Sequence, residues 1–272
     1  MRIPVPEMLK ERAAIAADNP VAPRDAATVV VVRDGADGIE AYLLRRQPTM
    51  EFAPGMYVFP GGGVDDADRN AEVPWAGPPP SVWAERFGCS EDIAKGLVCA
   101  AVRETFEESG VLLAGPDANS VVADTSGPEF QQARLALEAR ELTFGAYLAD
   151  SGLVLRADLL GAWSHWITPI FEPRRFDTRF FVAVLPEGQS VGELARESDR
   201  ALWAPLSKVL EAVESGASGM LPPTFFTCKE IAGLAASEVL GAAEKRTIRA
   251  IQPTLVEVDG ELFLESDTGG LA

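Results

Sequence analysis

Residues 103–111, with the sequence Arg-Glu-Thr-Phe-Glu-Glu-Ser-Gly-Val, contain three carboxylates whose spacing decides how the chain is interpreted. Glu104, Glu107 and Glu108 stand at positions i, i+3 and i+4, which places them on one face of a helix. Like charges at this spacing repel each other by roughly 0.2–0.5 kcal/mol per pair. A bound cation would relieve the repulsion, and oxygen ligands suit Mg²⁺ or Mn²⁺ better than Zn²⁺ or Cu²⁺. The stretch therefore predicts a divalent-metal site for phosphate chemistry, with a solvated acidic helix face as the alternative.

The helix that carries these carboxylates can be delimited from both ends. Ser90 is a suitable N-cap residue, and Gly110 is a suitable residue for the position that follows the last turn. Arg103 stands beside the acidic cluster and is expected to hold one carboxylate by a bidentate contact. The glutamates are predicted to face solvent and metal, while a different face of the helix is buried. That buried face is predicted to contain Val98, Ala101, Val102, Thr105 and Phe106.

A glycine-rich segment upstream adds a second motif. Residues 57–64, Tyr-Val-Phe-Pro-Gly-Gly-Gly-Val, are typical of a short apolar strand that ends in a glycine turn, where the backbone can approach a ligand closely. Together with the acidic helix, this segment resembles the box of the Nudix hydrolase superfamily. That box consists of Gly, five residues, Glu, seven residues, and then Arg-Glu-U-x-Glu-Glu-x-Gly-U, where U is apolar. Gly62 matches the first glycine, Asp68 stands where the family has Glu, and residues 103–111 match the second half.

The match departs from the family pattern at three points. Asp68 is a shorter acid than the usual Glu, and Thr105 replaces an apolar residue. The spacer, residues 69–102, holds 34 residues instead of seven. Its prolines and aromatic residues allow two interpretations, a surface loop or a lid that selects the substrate. An inserted box, together with Arg-Arg-Phe-Asp-Thr-Arg-Phe-Phe at 174–181, resembles the branch of the family that includes peroxisomal coenzyme A diphosphatases.

The resemblance implies an α/β fold, a Nudix-type α/β/α sandwich with a mixed sheet, an insertion within the box and extra C-terminal helices. We predict a single Nudix domain over residues 1–272. It would have an N-terminal extension at 1–27, the box insertion at about 69–92, and helical elaborations at about 126–160 and 206–250.

Hydrophobic patterning predicts individual elements that agree with this architecture. The predicted strands cover 28–33, 39–46, 56–59, 162–168, 178–185 and 201–204, with a terminal hairpin at 254–258 and 261–264. Further helices are predicted at 6–17, 128–140, 142–149, 206–213, 223–234 and 235–243.

The resemblance also implies an activity, the metal-dependent pyrophosphohydrolysis of a nucleoside diphosphate linked to another moiety. Coenzyme A is the first candidate for the substrate, with NADH, ADP-ribose and capped RNA as alternatives. Glu104, Glu107 and Glu108 would hold Mg²⁺ or Mn²⁺. The predicted catalytic set is Arg103, Glu104, Glu107 and Glu197, where a box glutamate or the loop residue Glu197 would act as the general base. A Nudix-like sensor that binds a nucleotide without hydrolysing it is the alternative function.

Arginines near the ends of predicted strands are the candidates for binding phosphate, because a guanidinium group holds phosphate oxygens in pairs. Salt bridges to the acidic surface are the alternative role for them. Alternation along a strand allows only one of Arg45 and Arg46 to face the site. One of Trp166, Phe171 and Phe225 is a candidate for stacking on adenine. The predicted substrate-binding residues are Arg46, Gly61, Gly62, Arg174, Arg175 and Arg179.

Composition limits the classes of partner. The formal net charge is −17, which disfavours binding to nucleic acid or to anionic membranes, so a small-molecule nucleotide is the expected partner. Three cysteines without paired spacing, no apolar leader segment, no apolar run of membrane-spanning length and no Ser-Lys-Leu type terminus together predict a cytoplasmic protein. The sequence leaves the oligomeric state open, a homodimer included.

Overall fold

The computed structural model describes residues 2–5, 20–47, 55–192 and 198–267, which form fourteen strands and eight α-helices. The strands are β1 (Arg2–Pro4), β2 (Arg24–Gly35), β3 (Gly38–Arg46), β4 (Tyr57–Val58), β5 (Gly61–Gly63), β6 (Trp75–Ala76), β7 (Ala114–Gly115), β8 (Val154–Arg156), β9 (Gly161–Ile167), β10 (Phe176–Val184), β11 (Ser198–Pro205), β12 (Ala250–Ile251), β13 (Thr254–Val258) and β14 (Glu261–Glu265). The helices are α1 (Asp66–Asn70), α2 (Pro80–Phe87), α3 (Glu91–Ser109), α4 (Pro128–Glu138), α5 (Phe144–Asp150), α6 (Leu206–Glu214), α7 (Pro222–Ile231) and α8 (Ala236–Glu244).

The largest sheet is mixed, as the resemblance implied. Its strand order is β11-β3-β2-β10-β9-β12, with β4 paired to β3 and β5 paired to β2. The pairs β2–β10 and β9–β12 are parallel, and the other pairs are antiparallel. Two further three-stranded sheets have the orders β1-β14-β13 and β6-β8-β7.

Strand β2 shows why the sheet has a helical layer on each side. Val29 and Val31 pack in one core with residues of α3, and Val30 and Val32 pack in a second core with residues of α6, α7 and α8. Because alternate side chains point to opposite faces of a sheet, a strand covered on both faces reads as an unbroken apolar run. The predicted α/β/α sandwich is thereby confirmed.

Helix α3 begins and ends where its capping residues predict. The Ser90 hydroxyl accepts a hydrogen bond from the Ile93 amide at 3.3 Å, and Gly110 adopts a φ of 77° after the last turn. The glutamate face is less exposed than expected, because Glu107 is only 8% exposed and Glu104 and Glu108 are half-buried. Glu104 lies against Gly62 and Arg103 contacts Asp68, so β5 and α1 cover much of this face.

The insertion in the box is built into the core. The indoles of Trp75 and Trp83 both donate to the carbonyl oxygen of Pro78, at 2.8 and 3.1 Å. Trp83 and Phe87 then pack against Phe181 of the central sheet, with ring centroids 5.5 and 5.2 Å away. These aromatic side chains are core residues, so neither a loose surface loop nor a lid describes the segment.

Other predicted elements agree with the observed ones to within a few residues. The glycine turn predicted after residue 60 is instead the edge strand β5, since Gly61, Gly62 and Gly63 pair with Thr28, Ala27 and Ala26. The helix predicted at 6–17 falls entirely on residues 6–19, which lie outside the described part of the chain. In the part that is described, no helix combines the length and the apolarity that crossing a membrane requires.

The core position of the insertion leads to a stability prediction. Replacing Trp83 by Ala should lower the free energy of unfolding by about 3–5 kcal/mol, because the change removes a large buried ring and leaves a cavity. Val82 in the same helix is 42% exposed, so Val82→Ala serves as the control and should change stability by less than about 0.5 kcal/mol. Denaturant unfolding measures both; equal effects would show that the insertion is not part of the core.

Candidate active site

A cavity of about 1110 Å³ runs across the central sheet. Gly63, Ala26, Thr178 and Trp166 are register partners on the adjacent strands β5, β2, β10 and β9, and all four line the cavity. Three inter-strand spacings separate the ends of this row, a distance of about 14 Å. The cavity is therefore long enough for a ligand with two distinct parts.

The row from Gly63 to Trp166 forms the floor of the cavity. The glycines of β5 lie where this floor meets helix α3. A Cβ atom on Gly62 would lie 2.3 Å from Oε1 of Glu104, so only a residue without a side chain allows this carboxylate to approach the strand. The Gly61 amide donates to Oε2 of Glu108 at 2.8 Å. None of the three glycines of β5 has a positive φ. Gly61 and Gly62 are required by close approach rather than by a turn, whereas a Cβ atom on Gly63 would meet only the Asp25 carbonyl oxygen, at 4.0 Å.

Arg103 is the centre of the acidic cluster. Its Nε and Nη2 atoms donate to the two carboxylate oxygens of Asp68, at 3.0 and 2.9 Å. Its Nη1 atom donates to Glu104 at 2.8 Å and to Glu107 at 3.2 Å, and Nη2 also reaches the Gly63 carbonyl at 3.0 Å. The shorter acid at position 68 thus reaches the box arginine, although the insertion begins directly after it.

Burial dominates the ionisation of these glutamates. Desolvation raises the pKa of Glu104 to about 7, although the neighbouring Arg103 opposes the shift. Desolvation also raises the pKa of Glu107, again against the effect of Arg103. Burial alone would lower the pKa of Arg103, but Glu104, Asp68 and Glu107 raise it overall, so the guanidinium stays charged. One fixed cation is therefore surrounded by carboxylates that it does not fully neutralise.

The walls of the cavity carry an excess of negative charge. Seven carboxylates line it, against four arginines. The donor set around α3 contains only oxygen, which fits Mg²⁺ or Mn²⁺. As the side chains stand, with Arg103 between the acids, no three His, Cys, Asp or Glu residues of the described ranges are arranged to hold a metal ion. The carboxylates belong to Asp65, Asp68, Glu104, Glu107, Glu108, Glu138 and Glu172, and the arginines are Arg46, Arg103, Arg140 and Arg174.

Four of the residues predicted to bind substrate line the cavity, namely Arg46, Gly61, Gly62 and Arg174. Arg175 and Arg179 do not, and their predicted role is corrected. The Arg175 guanidinium donates to the backbone carbonyls of Thr168, Pro169 and Val21.

Strand alternation explains the position of Arg179. Thr178 and Phe180 of β10 face the cavity, so Arg179 points to the other face of the sheet. There it pairs with Asp25 at 2.8 Å and with Asp177 at 2.9 Å. This arginine holds strands together, which is the salt-bridge alternative considered from the sequence.

The remaining predictions have mixed outcomes. Glu197 lies outside the described residues. Trp166 lines the cavity, but Phe226 stacks on it at 6.3 Å and it is only 4% exposed, so it is a wall rather than an open stacking surface. The cavity also contains residues that no motif indicated, above all Arg140 and Glu138 near the end of α4.

Comparisons with known proteins agree with this geometry. The family model described as the NUDT19 Nudix domain matches residues 84–231, more than half of the chain. A crystal structure of a NUDIX hydrolase from Alicyclobacillus acidocaldarius superimposes with a TM-score of 0.67 and 31% identity, over 84% of this chain and 99% of that one.

Curated relatives give the same family. The acyl-coenzyme A diphosphatase NUDT19 of Homo sapiens is 29% identical over 84% of this chain and 71% of its own length. The protein of the same name from Xenopus laevis is 27% identical over 69% of this chain and 58% of its own length. The chain thus spans well under the full length of these relatives.

The raised pKa of Glu104 predicts how stability depends on pH without added metal. Between pH 4.5 and about 7, folded Glu104 keeps a proton that the unfolded chain has released, so the free energy of unfolding should fall as the pH rises. Glu104→Gln should flatten this decline, while Glu141→Gln, at an exposed position outside the cavity, should not. Denaturant unfolding at pH 5, 6, 7 and 8 in metal-free buffer is the measurement. An unchanged slope in Glu104→Gln would contradict the assignment.

Proposed function

Because this chain belongs to the Nudix hydrolase family, we propose that it hydrolyses the diphosphate of coenzyme A or of an acyl-coenzyme A with the help of Mg²⁺ or Mn²⁺. The relatives named acyl-coenzyme A diphosphatase support this choice of substrate. The observation that carries the proposal is that one cavity is lined both by the carboxylates of α3 and by a row of residues on four adjacent strands. NADH and ADP-ribose remain the competing substrates.

Glu104, Glu107 and Glu108 would hold the divalent ion. When bound, such an ion polarises phosphoryl oxygens, offsets their charge and lowers the pKa of a bound water. Arg103 orients Glu104 and Glu107 by direct hydrogen bonds, and Asp68 fixes Arg103 from the other side. The Gly61 amide holds Glu108. These contacts position the oxygens before the substrate enters.

The net negative charge of the walls supports the need for a dication. A diphosphate is itself anionic and would be repelled by seven carboxylates against four arginines. Arg46 and Arg174 both line the cavity, and each is proposed to contact a phosphate oxygen.

A box glutamate is the proposed general base, because an effective base has a pKa near the working pH. Without metal the pKa of Glu104 is raised to about 7, and a dication bound beside it would lower that pKa and favour the carboxylate form that accepts a proton. Glu104 lies within the acidic cluster where the attacked phosphorus would sit. Its carboxylate would accept the proton of the attacking water.

The remaining part of the substrate would lie along the row from Gly63 to Trp166. Between the ends of this row, Thr28, Thr178 and Phe180 face the cavity. A floor that carries hydroxyl and apolar groups but no charged side chain suits a flexible amide and thioester arm better than a second charged nucleotide.

A substrate panel tests the proposed function directly. Coenzyme A, an acyl-coenzyme A, NADH, ADP-ribose and diadenosine polyphosphates are incubated with Mg²⁺ or Mn²⁺, and the products are resolved by mass. We expect preferential cleavage of the coenzyme A compounds between the two phosphates, and loss of turnover in EDTA. Preferential cleavage of NADH or ADP-ribose would overturn the substrate assignment, and no cleavage of any compound would overturn the function.

Glu107 gives the matching prediction for the site. Glu107→Gln should lower kcat by about 10²-fold or more, because the amide removes an anionic oxygen from the proposed ligand set. The same variant should bind Mn²⁺ more weakly in a calorimetric titration, while Glu141→Gln should match the wild type in both. A near-normal rate in Glu107→Gln would exclude Glu107 as a ligand.

A further inference from the structure

Helix α4 ends in a turn whose backbone geometry is normally associated with glycine. The Arg140 amide donates to the Leu137 carbonyl at 2.8 Å, and the Glu141 amide donates to the Ala136 carbonyl at 2.9 Å. This pair of bonds is the Schellman motif, in which the residue after the C-cap adopts a left-handed conformation. Arg140 occupies that position with a φ of 58°. Only two residues other than glycine in the described ranges have a positive φ, and the other, Asp259, lies in a hairpin turn.

The side chain of Arg140 contributes little to the stability of the fold. It is 80% exposed and forms an ion pair with Asp65 at 3.5 Å. The ion pairs of Arg103, Arg156 and Arg179 are shorter, between 2.6 and 3.2 Å, and involve buried guanidinium groups. Long ion pairs between exposed groups contribute little to stability. A glycine would form the same turn without the steric conflict of a left-handed side chain.

The position of Arg140 is nevertheless specific. The turn after α4 forms part of the cavity wall, together with Leu137, Glu138 and Leu142. Asp65, the partner of Arg140, also lines the cavity and is the N-cap of α1, three residues before Asp68. The guanidinium therefore stands at the cavity rim on the acidic side, where a phosphate would enter.

We propose that Arg140 is a phosphate-binding residue that exchanges its ion pair with Asp65 for a phosphate of the bound nucleotide derivative. This inference rests on the proposed function and adds a binding residue to it. A guanidinium forms stronger and better aligned contacts with a phosphate than with a carboxylate 3.5 Å away. The exchange requires only a rotation of an exposed side chain. Left-handed backbone in residues other than glycine clusters at active sites and ligand clamps, which supports a role for this side chain.

Coenzyme A carries phosphate at two places that could contact Arg140, the diphosphate that is cleaved and the single phosphate on the ribose. Coenzyme A and dephospho-coenzyme A distinguish them. If Arg140 contacts the diphosphate, its loss raises KM for both compounds. If it contacts the ribose phosphate, KM rises for coenzyme A alone.

Because residue 140 has a left-handed backbone conformation, variants at this position can separate an effect of the side-chain charge from an effect on the fold. Arg140→Gly removes the charge and relieves the backbone, so its melting temperature should equal or exceed that of the wild type. Arg140→Ala removes the same charge but keeps the strained backbone, and Arg140→Lys keeps the charge. Arg249→Ala is the matched control, because Arg249 is exposed, lies outside the cavity and gives the same change in net charge.

We expect Arg140→Gly and Arg140→Ala to raise KM by about tenfold with kcat changed by less than about twofold, as loss of a charge-assisted hydrogen bond to bound substrate would do. Arg140→Lys should recover part of the affinity, and Arg249→Ala should match the wild type. A KM of Arg140→Gly within about twofold of wild type for both compounds would overturn the proposal. A rise in Arg140→Ala without one in Arg140→Gly would also overturn it, since the backbone would then be the cause.

A separate readout keeps this test independent of the proposed activity. If the wild-type chain cleaves neither compound, the proposed function fails, and binding of coenzyme A in Mg²⁺ is measured by calorimetry in the same variants. Weaker binding by Arg140→Gly, with normal binding by Arg249→Ala, would support the role of Arg140. Equal binding by both, or no binding by the wild type, would refute it.

Discussion

The contacts of one guanidinium group hold the acidic site together. Arg103 joins Asp68 of α1, Glu104 and Glu107 of α3, and the backbone of β5, so three elements from separate parts of the sequence meet at a single side chain. Because the group is buried, replacing Arg103 would leave Asp68, Glu104 and Glu107 without their shared cation in a medium of low dielectric constant. The same contacts that stabilise the fold also set the orientation of the carboxylates. Stability and function are therefore not separable at this position.

The edge strand β5 allows a helix on one side of the sheet to contact a ligand on the other side. The floor of the cavity belongs to the face of the sheet that packs on the C-terminal helices, where Phe180 and Trp166 are part of the core. Helix α3 belongs to the opposite layer. Glycines at the edge leave no side chains between the two, and the carboxylates of α3 reach the floor past the bare backbone.

Features that depend on neighbouring residues could be predicted from the sequence, whereas contacts between distant residues could not. Ser90 and Gly110 define the ends of α3 because capping depends on a few neighbouring residues. The burial of the same helix depends on distant groups, such as Arg134, which donates to the Glu107 carbonyl at 2.9 Å, and Tyr147, which stacks on Phe106. The sequence gives no sign of these contacts. The arginines at 174, 175 and 179 suggest phosphate binding, whereas Asp25, the partner of Arg179, lies 154 positions away in the sequence.

The row of residues from Gly63 to Trp166 sets the length that a ligand needs in order to span the cavity. Strand spacing is fixed by backbone hydrogen bonds, so the length of this floor cannot be adjusted by side-chain substitution alone. A ligand anchored beside Arg103 must extend about 14 Å to touch the far wall. Shorter molecules would leave that wall in contact with water, so the spacing of the strands, rather than any one side chain, would set how long a ligand must be to fill the cavity.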